Sequence, residues 1–331
     1  MRTMIKTVML LAVCLLIVGG GCTPKEPAVS PESRVVKVGI IQYATHPSLD
    51  SARMGFLDFL KINGYEEGDK LSVTYANGEG DQPTIRSIAQ QFSEERFDLI
   101  LAIATPAAQA MANAEKEVPI LITAVTDPVA AKLVKTLEEP GTNVTGTSDY
   151  VSIETQLDLI RMIMPSVTRL GVIYNSGEEN SIVQVTEVKR YAEDNGLTIT
   201  EATPTNSSEV LQAAQSLIGK VEAIYVPSDN TVVSAIEAVV KVCNEEKIPL
   251  FPAEGDSVSR GGLATAGVDY YQLGKQTGMQ ALQIINGAKP RDIPVEIQSE
   301  ISVIVNLNAA EIVGIDIPDS VLERAVTAIT E

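Results

Sequence analysis

From residue 35 onward, short apolar runs alternate with stretches whose apolar positions recur every three or four residues, the pattern of parallel strands crossed over by helices. Two successive sets are predicted. In the first, strands near 36–43, 71–76, 98–104 and 118–125 are separated by helices near 51–63, 84–94 and 106–116. After a crossover at 143–150, the second set opens with a helix at 153–164. It continues with strands near 170–175, 198–202 and 223–226 and helices near 181–195, 208–218 and 231–246. Along the last of these, Val232, Ile236, Val239 and Cys243 fall on one face. Strands at 249–251, 263–269 and 301–307, a helix at 272–285 and a short terminal helix complete the pattern by crossing back. The expected fold class is α/β, with two doubly wound parallel-sheet lobes joined by hinge strands. The first lobe takes 35–146 plus about 272–296, the second 147–271 plus about 297–331. Ligands of such sheets bind beyond the carboxyl ends of the strands, in the cleft.

The first 34 residues break this pattern. Arg2 and Lys6 precede an apolar run from Val8 to Val18, and Gly19, Gly20 and Gly21 lead into Cys22. The run is shorter than the roughly 20 residues of a spanning helix, and the layout is that of a cleavable export signal over 1–21. Small residues before Cys22 suit processing that leaves the cysteine as a lipidated N-terminus; cleavage without a lipid is the alternative. Pro24, Pro27 and Pro31 make 22–34 a flexible tether. The expected location is therefore extracytoplasmic, with a lipid anchor to the cell envelope. Cys14 is discarded with the leader and Cys22 carries the lipid, so Cys243 stands alone as a buried structural thiol.

Composition changes the picture in two ways. A chain of 331 residues, 45% hydrophobic, exceeds the usual ceiling for one compact core, which favours two lobes. Loss of the leader removes Arg2 and Lys6 and no acids, taking the formal charge from −18 to −20, and so acidic a surface excludes nucleic acid as a partner.

The strand ends carry the chemistry. The strand at 98–104 runs into Thr105-Pro106, and that at 118–125 into Thr126-Asp127-Pro128. Proline at a first helical position leaves unpaired backbone N–H groups there, and two such turns, each with a threonine hydroxyl, suit a carboxylate. Plain capping by Thr105 and Asp127 is the alternative. In the second lobe the ends read Tyr174-Asn175-Ser176-Gly177-Glu178 and Pro227-Ser228-Asp229-Asn230, placing Glu178 and Asp229 at the cleft, where an ammonium would fit. Here too plain capping is the alternative, with Asp229 or Asn230 as the cap of the following helix and Glu178 as a solvated loop charge. A carboxylate seat facing an ammonium seat describes an amino-acid receptor. Tyr43, Tyr150, Tyr174, Tyr225, Tyr270 and Tyr271 fall at strand ends or crossovers and could wall an apolar pocket, although tyrosine also favours strands in general.

Several strings, in order, carry a family resemblance: Ile41-Gln42, His46-Pro47-Ser48-Leu49-Asp50, Thr105-Pro106-Ala107-Ala108-Gln109, Thr123-Ala124-Val125-Thr126-Asp127-Pro128, Asn143-Val144-Thr145-Gly146-Thr147-Ser148-Asp149, Tyr174-Asn175-Ser176, Asp229-Asn230-Thr231 and Gly267-Val268-Asp269-Tyr270-Tyr271. The chain resembles the ABC-transporter substrate-binding lipoproteins associated with aromatic amino acids. The resemblance implies a type I periplasmic-binding-protein fold and a receptor that hands its amino acid to a cognate ABC permease. By position it implies that Thr105 and Thr126 hold the ligand carboxylate, that Asp229 takes the ammonium with Asn175 and Glu178 nearby, and that Gln42 and Tyr43 line the first-lobe side. Tyr174 and Asn230 complete the candidate site. Departures at Thr45, Lys132 and Phe251-Pro252-Ala253 bear on the side-chain pocket.

His46 is the single histidine, and no cysteine pair, second histidine or serine-nucleophile motif accompanies it. It is expected at a helix start or cleft rim. Gly78-Glu79-Gly80-Asp81 lacks the lysine and spacing of a phosphate loop and reads as a turn. The expectation is a monomeric binding protein with no catalytic residues, metal or cofactor. An exported α/β enzyme acting on a small polar substrate, or the same fold carrying a sugar or nucleoside, are the competing readings.

Overall fold

A computed structural model describes residues 34–330. The expected signal peptide over 1–21, lipidation at Cys22 and the tether as far as residue 33 lie outside the described residues.

The first sheet contains β1 (Val36–Gln42), β2 (Leu71–Asn77), β3 (Leu99–Ile103), β4 (Ile120–Thr123) and β5 (Val144–Ser148), all parallel, in the order β5-β4-β3-β1-β2. Helices α1 (Pro47–Ile62), α2 (Gln82–Glu94) and α3 (Thr105–Ala114) make the crossovers. Every residue of β3 and β4 is buried, which is why both read as unbroken apolar runs: a parallel sheet is covered on both faces. The expected crossover at 143–150 contains a fully buried strand, β5. Its sequence, Val-Thr-Gly-Thr-Ser, has too little apolar character for hydropathy to reveal a strand.

The second lobe follows with α4 (Ile153–Ile163), β6 (Arg169–Ile173), α5 (Glu179–Asn195), β7 (Thr198–Ala202), α6 (Val210–Gln215), β8 (Ala223–Val226), α7 (Asn230–Val233), α8 (Ile236–Glu246) and β9 (Leu250–Pro252). Its parallel sheet runs β7-β6-β8-β9. Alternating side chains build two cores. Val172 and Tyr225 pack with Leu157 and Val188 on one face, while Ile173, Ile224 and Val226 pack with Val210, Val239 and Cys243 on the other. The expected helix over 231–246 is broken at Ser234 and Ala235, and Ala235 leaves helical geometry at φ −125°, ψ 29°. At the break the Arg260 guanidinium donates to the Val233 carbonyl at 2.8 Å and to Glu237 at 2.7 Å, giving the interrupted turn another partner.

The remaining elements are α9 (Gly255–Ser259), β10 (Ala264–Gly267), α10 (Tyr270–Ile285), β11 (Glu296–Ile297), β12 (Ser302–Asn306), α11 (Leu307–Val313), α12 (Asp319–Leu322) and β13 (Ala325–Ile329). They distribute between the lobes. β11 extends the first sheet beside β5, and α10 packs along α1, whereas β10, β12 and β13 form a small sheet whose Ala264, Ala266, Val303 and Val305 join the second core. Among the described residues the chain thus passes between lobes near 149–152, 268–269 and 298–301. α1 and α10 approach closely through glycines: a Cβ on Gly274 would lie 1.9 Å from the Ala52 carbonyl oxygen, and one on Gly55 2.0 Å from that of Tyr271. This contact fixes where α1 begins, and its start bears His46 and Ser48.

Candidate functional site

Both sheets reverse their strand order at a central strand, β1 in the first and β6 in the second, and such switch points open crevices at the carboxyl ends. The two carboxyl edges meet around one cavity of about 10 Å³, the space of a single water. His46, Leu49, Ala124, Asp149 and Tyr270 face it from the first-lobe side. Ser228, Asp229, Asn230, Val233 and Glu254 face it from the second. Two buried hydrogen bonds cross directly: Ser48 Oγ donates to Glu254 Oε2 at 2.8 Å, and His46 Nε2 lies 3.3 Å from Asn230 Oδ1.

The second-lobe wall is built from carboxylates and a short helix start. Asp229 caps α7, accepting from Val232 N at 2.8 Å on Oδ1, while Oδ2 accepts from Asn175 N and Ser181 Oγ, both at 2.6 Å. Glu178 is buried behind it. Its oxygens accept from Thr231 N (3.0 Å) and Oγ1 (2.8 Å) and from Asn230 N (3.1 Å) and Nδ2 (2.6 Å). Burial, and then the charge of Glu178, push the Asp229 carboxyl well above the usual range. No lysine or arginine lines the cavity, so nothing there offsets these acids. Asn175, through its Nδ2, donates to Thr231 Oγ1 at 2.9 Å and so ties the two loops together.

On the first-lobe side Thr105 and Thr126 are buried, and the Thr105 hydroxyl has no partner. Asp127 caps a turn by accepting from Val129 N and Ala130 N, and 128–133 coils in turns in place of the helix that Thr126-Asp127-Pro128 suggested. Ala104 and Ala124, at the ends of β3 and β4, have φ of 78° and 55°, a left-handed region that costs non-glycine residues about 1–3 kcal/mol each. Gln42 is held locally, donating to Ala44 O at 2.7 Å and Asp50 Oδ1 at 3.0 Å and accepting from Arg53. Tyr43 donates to Gly80 O at 2.8 Å, and burial first, then the charge of Glu178, raise its phenol.

Of the nine candidate residues, Asp229 and Asn230 line the cavity directly, and Asn175 and Glu178 brace them. Tyr174 packs in the second core with its hydroxyl on Glu201 at 2.6 Å, and burial, then Glu201, push it up to about 12. Cavity residues without an assigned binding role in the sequence include His46, Asp149 and Glu254, while Tyr270 was expected only as a pocket wall. Asp149 and Tyr270 lie within quoted motif strings, and this was the available signal. The Tyr270 hydroxyl donates to Asp149 Oδ2 at 2.7 Å, while Asp149 Oδ1 is buried without a partner. Burial raises the Asp149 carboxyl.

The family model for ABC transporter substrate binding proteins matches residues 37–329. The chain belongs to that family. This substrate-binding protein is 47% identical to the tyrosine-binding protein of Clostridioides difficile over 269 residues, which covers 81% of this chain and 78% of the relative. It superposes with a TM-score of 0.86 on the ABC domain in complex with L-Trp from Streptococcus pneumoniae, at 39% identity over 89% of this chain and all of that one. Against the ligand-free, open structure of a Clostridium difficile substrate-binding protein with adhesive properties, the TM-score is 0.68 at 45% identity, over 90% of this chain and all of the other. As for its family, the work of the substrate-binding protein lies outside the cytoplasm. Among the described residues no helix is long and apolar enough to cross a membrane.

Proposed function

We propose that this substrate-binding protein captures a free aromatic amino acid between its lobes and presents it to a cognate ABC permease without altering it. The observation that carries the reading is a cavity lined by the buried acids Asp149, Asp229 and Glu254 with no lysine or arginine among its lining, together with a buried, unpartnered Thr105 hydroxyl at the start of α3 in the first lobe. A zwitterion complements both. Thr105 and Thr126 would take the carboxylate and Asp229 the ammonium, with Asn175, Glu178 and Asn230 holding Asp229 in place and Gln42 and Tyr43 behind the first-lobe wall. The names of the similar proteins, a tyrosine-binding protein and a complex with L-Trp, favour aromatic ligands.

Hinge closure is part of this reading. A cavity of about 10 Å³ admits no amino acid unless the lobes part. The better superposition on the L-Trp complex than on the open structure, despite lower identity, is what a closed setting of the lobes gives. The bodies that swing are the two lobes, divided where the chain passes between them near 149–152, 268–269 and 298–301, in a monomer tethered through residues 22–34 to a lipid on Cys22. Calorimetry with tyrosine, tryptophan and phenylalanine beside their N-acetyl and methyl-ester derivatives tests the core of this. The free amino acids should bind and both blocked forms fail. Equal binding of either blocked form would sink the zwitterion reading.

A further inference from the structure

His46 stands at the start of α1, 7% exposed, on the cavity wall. The hydrogen-bond network assigns its tautomer. Asn230 Nδ2 donates to Glu178 Oε2 at 2.6 Å, which leaves Asn230 Oδ1 as the atom turned to the imidazole, 3.3 Å from Nε2. A carbonyl oxygen only accepts, so Nε2 carries the proton. Burial holds the ring neutral by lowering it to about 4, with the positive charge of Arg260 acting the same way. A neutral imidazole protonated on Nε2 has a bare lone pair on Nδ1, and Nδ1 is buried with no partner.

The cavity wall therefore offers two unsatisfied polar atoms of different character, the carboxyl Asp149 Oδ1 and the imidazole His46 Nδ1. An ammonium goes preferentially to the acids that line the cavity, Asp149, Asp229 and Glu254, because a carboxylate holds it more strongly than an uncharged ring does. What fits Nδ1 is a neutral donor, an O–H or N–H brought by the rest of the ligand. Resting on the aromatic amino-acid reading above, we propose that His46 Nδ1 accepts a hydrogen bond from the side-chain donor of the ligand, a phenol hydroxyl or indole N–H. His46 thereby selects tyrosine and tryptophan over phenylalanine. Phenylalanine leaves Nδ1 buried and unpaired, and a site built for a hydrogen bond rejects the analogue that lacks it.

The test is calorimetry of the full chain with L-tyrosine, L-tryptophan and L-phenylalanine, before and after His46→Leu and Asp149→Asn. The unaltered protein should prefer tyrosine and tryptophan to phenylalanine by about 10- to 100-fold. In His46→Leu that preference should collapse toward unity. The ratio is the readout, because loss of the bond to Asn230 would weaken all three alike and cancel. Asp149→Asn should weaken all three together and keep the ratio. A second measurement needs no variant: the single histidine gives one pair of imidazole ¹⁵N signals, and the Nδ1 signal should shift with tyrosine and stay with phenylalanine. If the unaltered protein binds the three equally, or His46→Leu keeps the preference, the role of His46 is overturned and the amino-acid reading stands. If none of the three binds, the amino-acid reading falls and this inference with it.

Discussion

Replacing Ser48 by alanine isolates the free energy of closure. Ser48 stands on α1, fully buried, and donates to Glu254 Oε2 at 2.8 Å. Glu254 is 2% exposed and held at the start of α9, where it accepts from Ser257 N at 3.0 and 3.1 Å. The bond joins the lobes, so it exists only when they meet; with the lobes apart, both groups are hydrated and alanine removes nothing comparable. A hydrogen bond to a buried carboxylate contributes about 1.5–3 kcal/mol. All of that falls on the closed form, which amounts to a shift of about 10- to 150-fold in the closure equilibrium. Ligand capture depends on the closed form, so every ligand should lose the same factor. Calorimetry measures the loss, and a cycle with Glu254→Gln should return most of it as coupling between the two positions. A loss below about twofold, or one that differs between tyrosine and tryptophan, would refute the reasoning.

Three further outcomes are expected. Thr105→Val removes a buried hydroxyl that has no partner, so stability to urea should hold or rise by up to about 1 kcal/mol while amino-acid affinity drops about tenfold; a parallel loss of both would place the hydroxyl in the fold and not the site. Asp229 is raised by burial and by Glu178, and an ammonium beside it favours its charged form, so binding should release a proton. Affinity then climbs with pH between the ordinary carboxylate range and the raised value and levels off above it; calorimetry in buffers of different ionisation enthalpy reads the proton directly, and no release anywhere in that window contradicts the placement. Gly274→Ala drives a methyl to 1.9 Å from the Ala52 carbonyl oxygen and should cost about 3 kcal/mol or more in chemical denaturation, since backbone must move; an unchanged midpoint would show that α1 and α10 can part freely.

The sheet framework was legible where burial on both faces makes a strand continuously apolar, as in β3 and β4. It was hidden where polar residues are buried by context, as in β5, and where elements are too short or too exposed to show a period, as in α9 and β13. The same division holds at the site. Asp229 announced itself by following an apolar strand and preceding a helix. The saturation of Glu178 by donors on residues 52 and 53 positions away depends on two loops meeting, which no local pattern encodes. Asp149 and Tyr270 stand at or beside the chain passages between lobes, and their partnership spans 121 residues. Glu254 faces the cavity only because β9 ends there, beside a helix of five residues.

The three passages between lobes bear on how the molecule is made. Neither half is a continuous stretch: the first sheet waits for Glu296–Ile297, and the second body is completed by Ser302–Asn306 and Ala325–Ile329. A growing polypeptide therefore cannot finish one half on the ribosome and then start the next, as multidomain proteins commonly do. Maturation is deferred until nearly the whole chain has emerged, and a chain that stays incomplete is one that can still be threaded through a translocation pore.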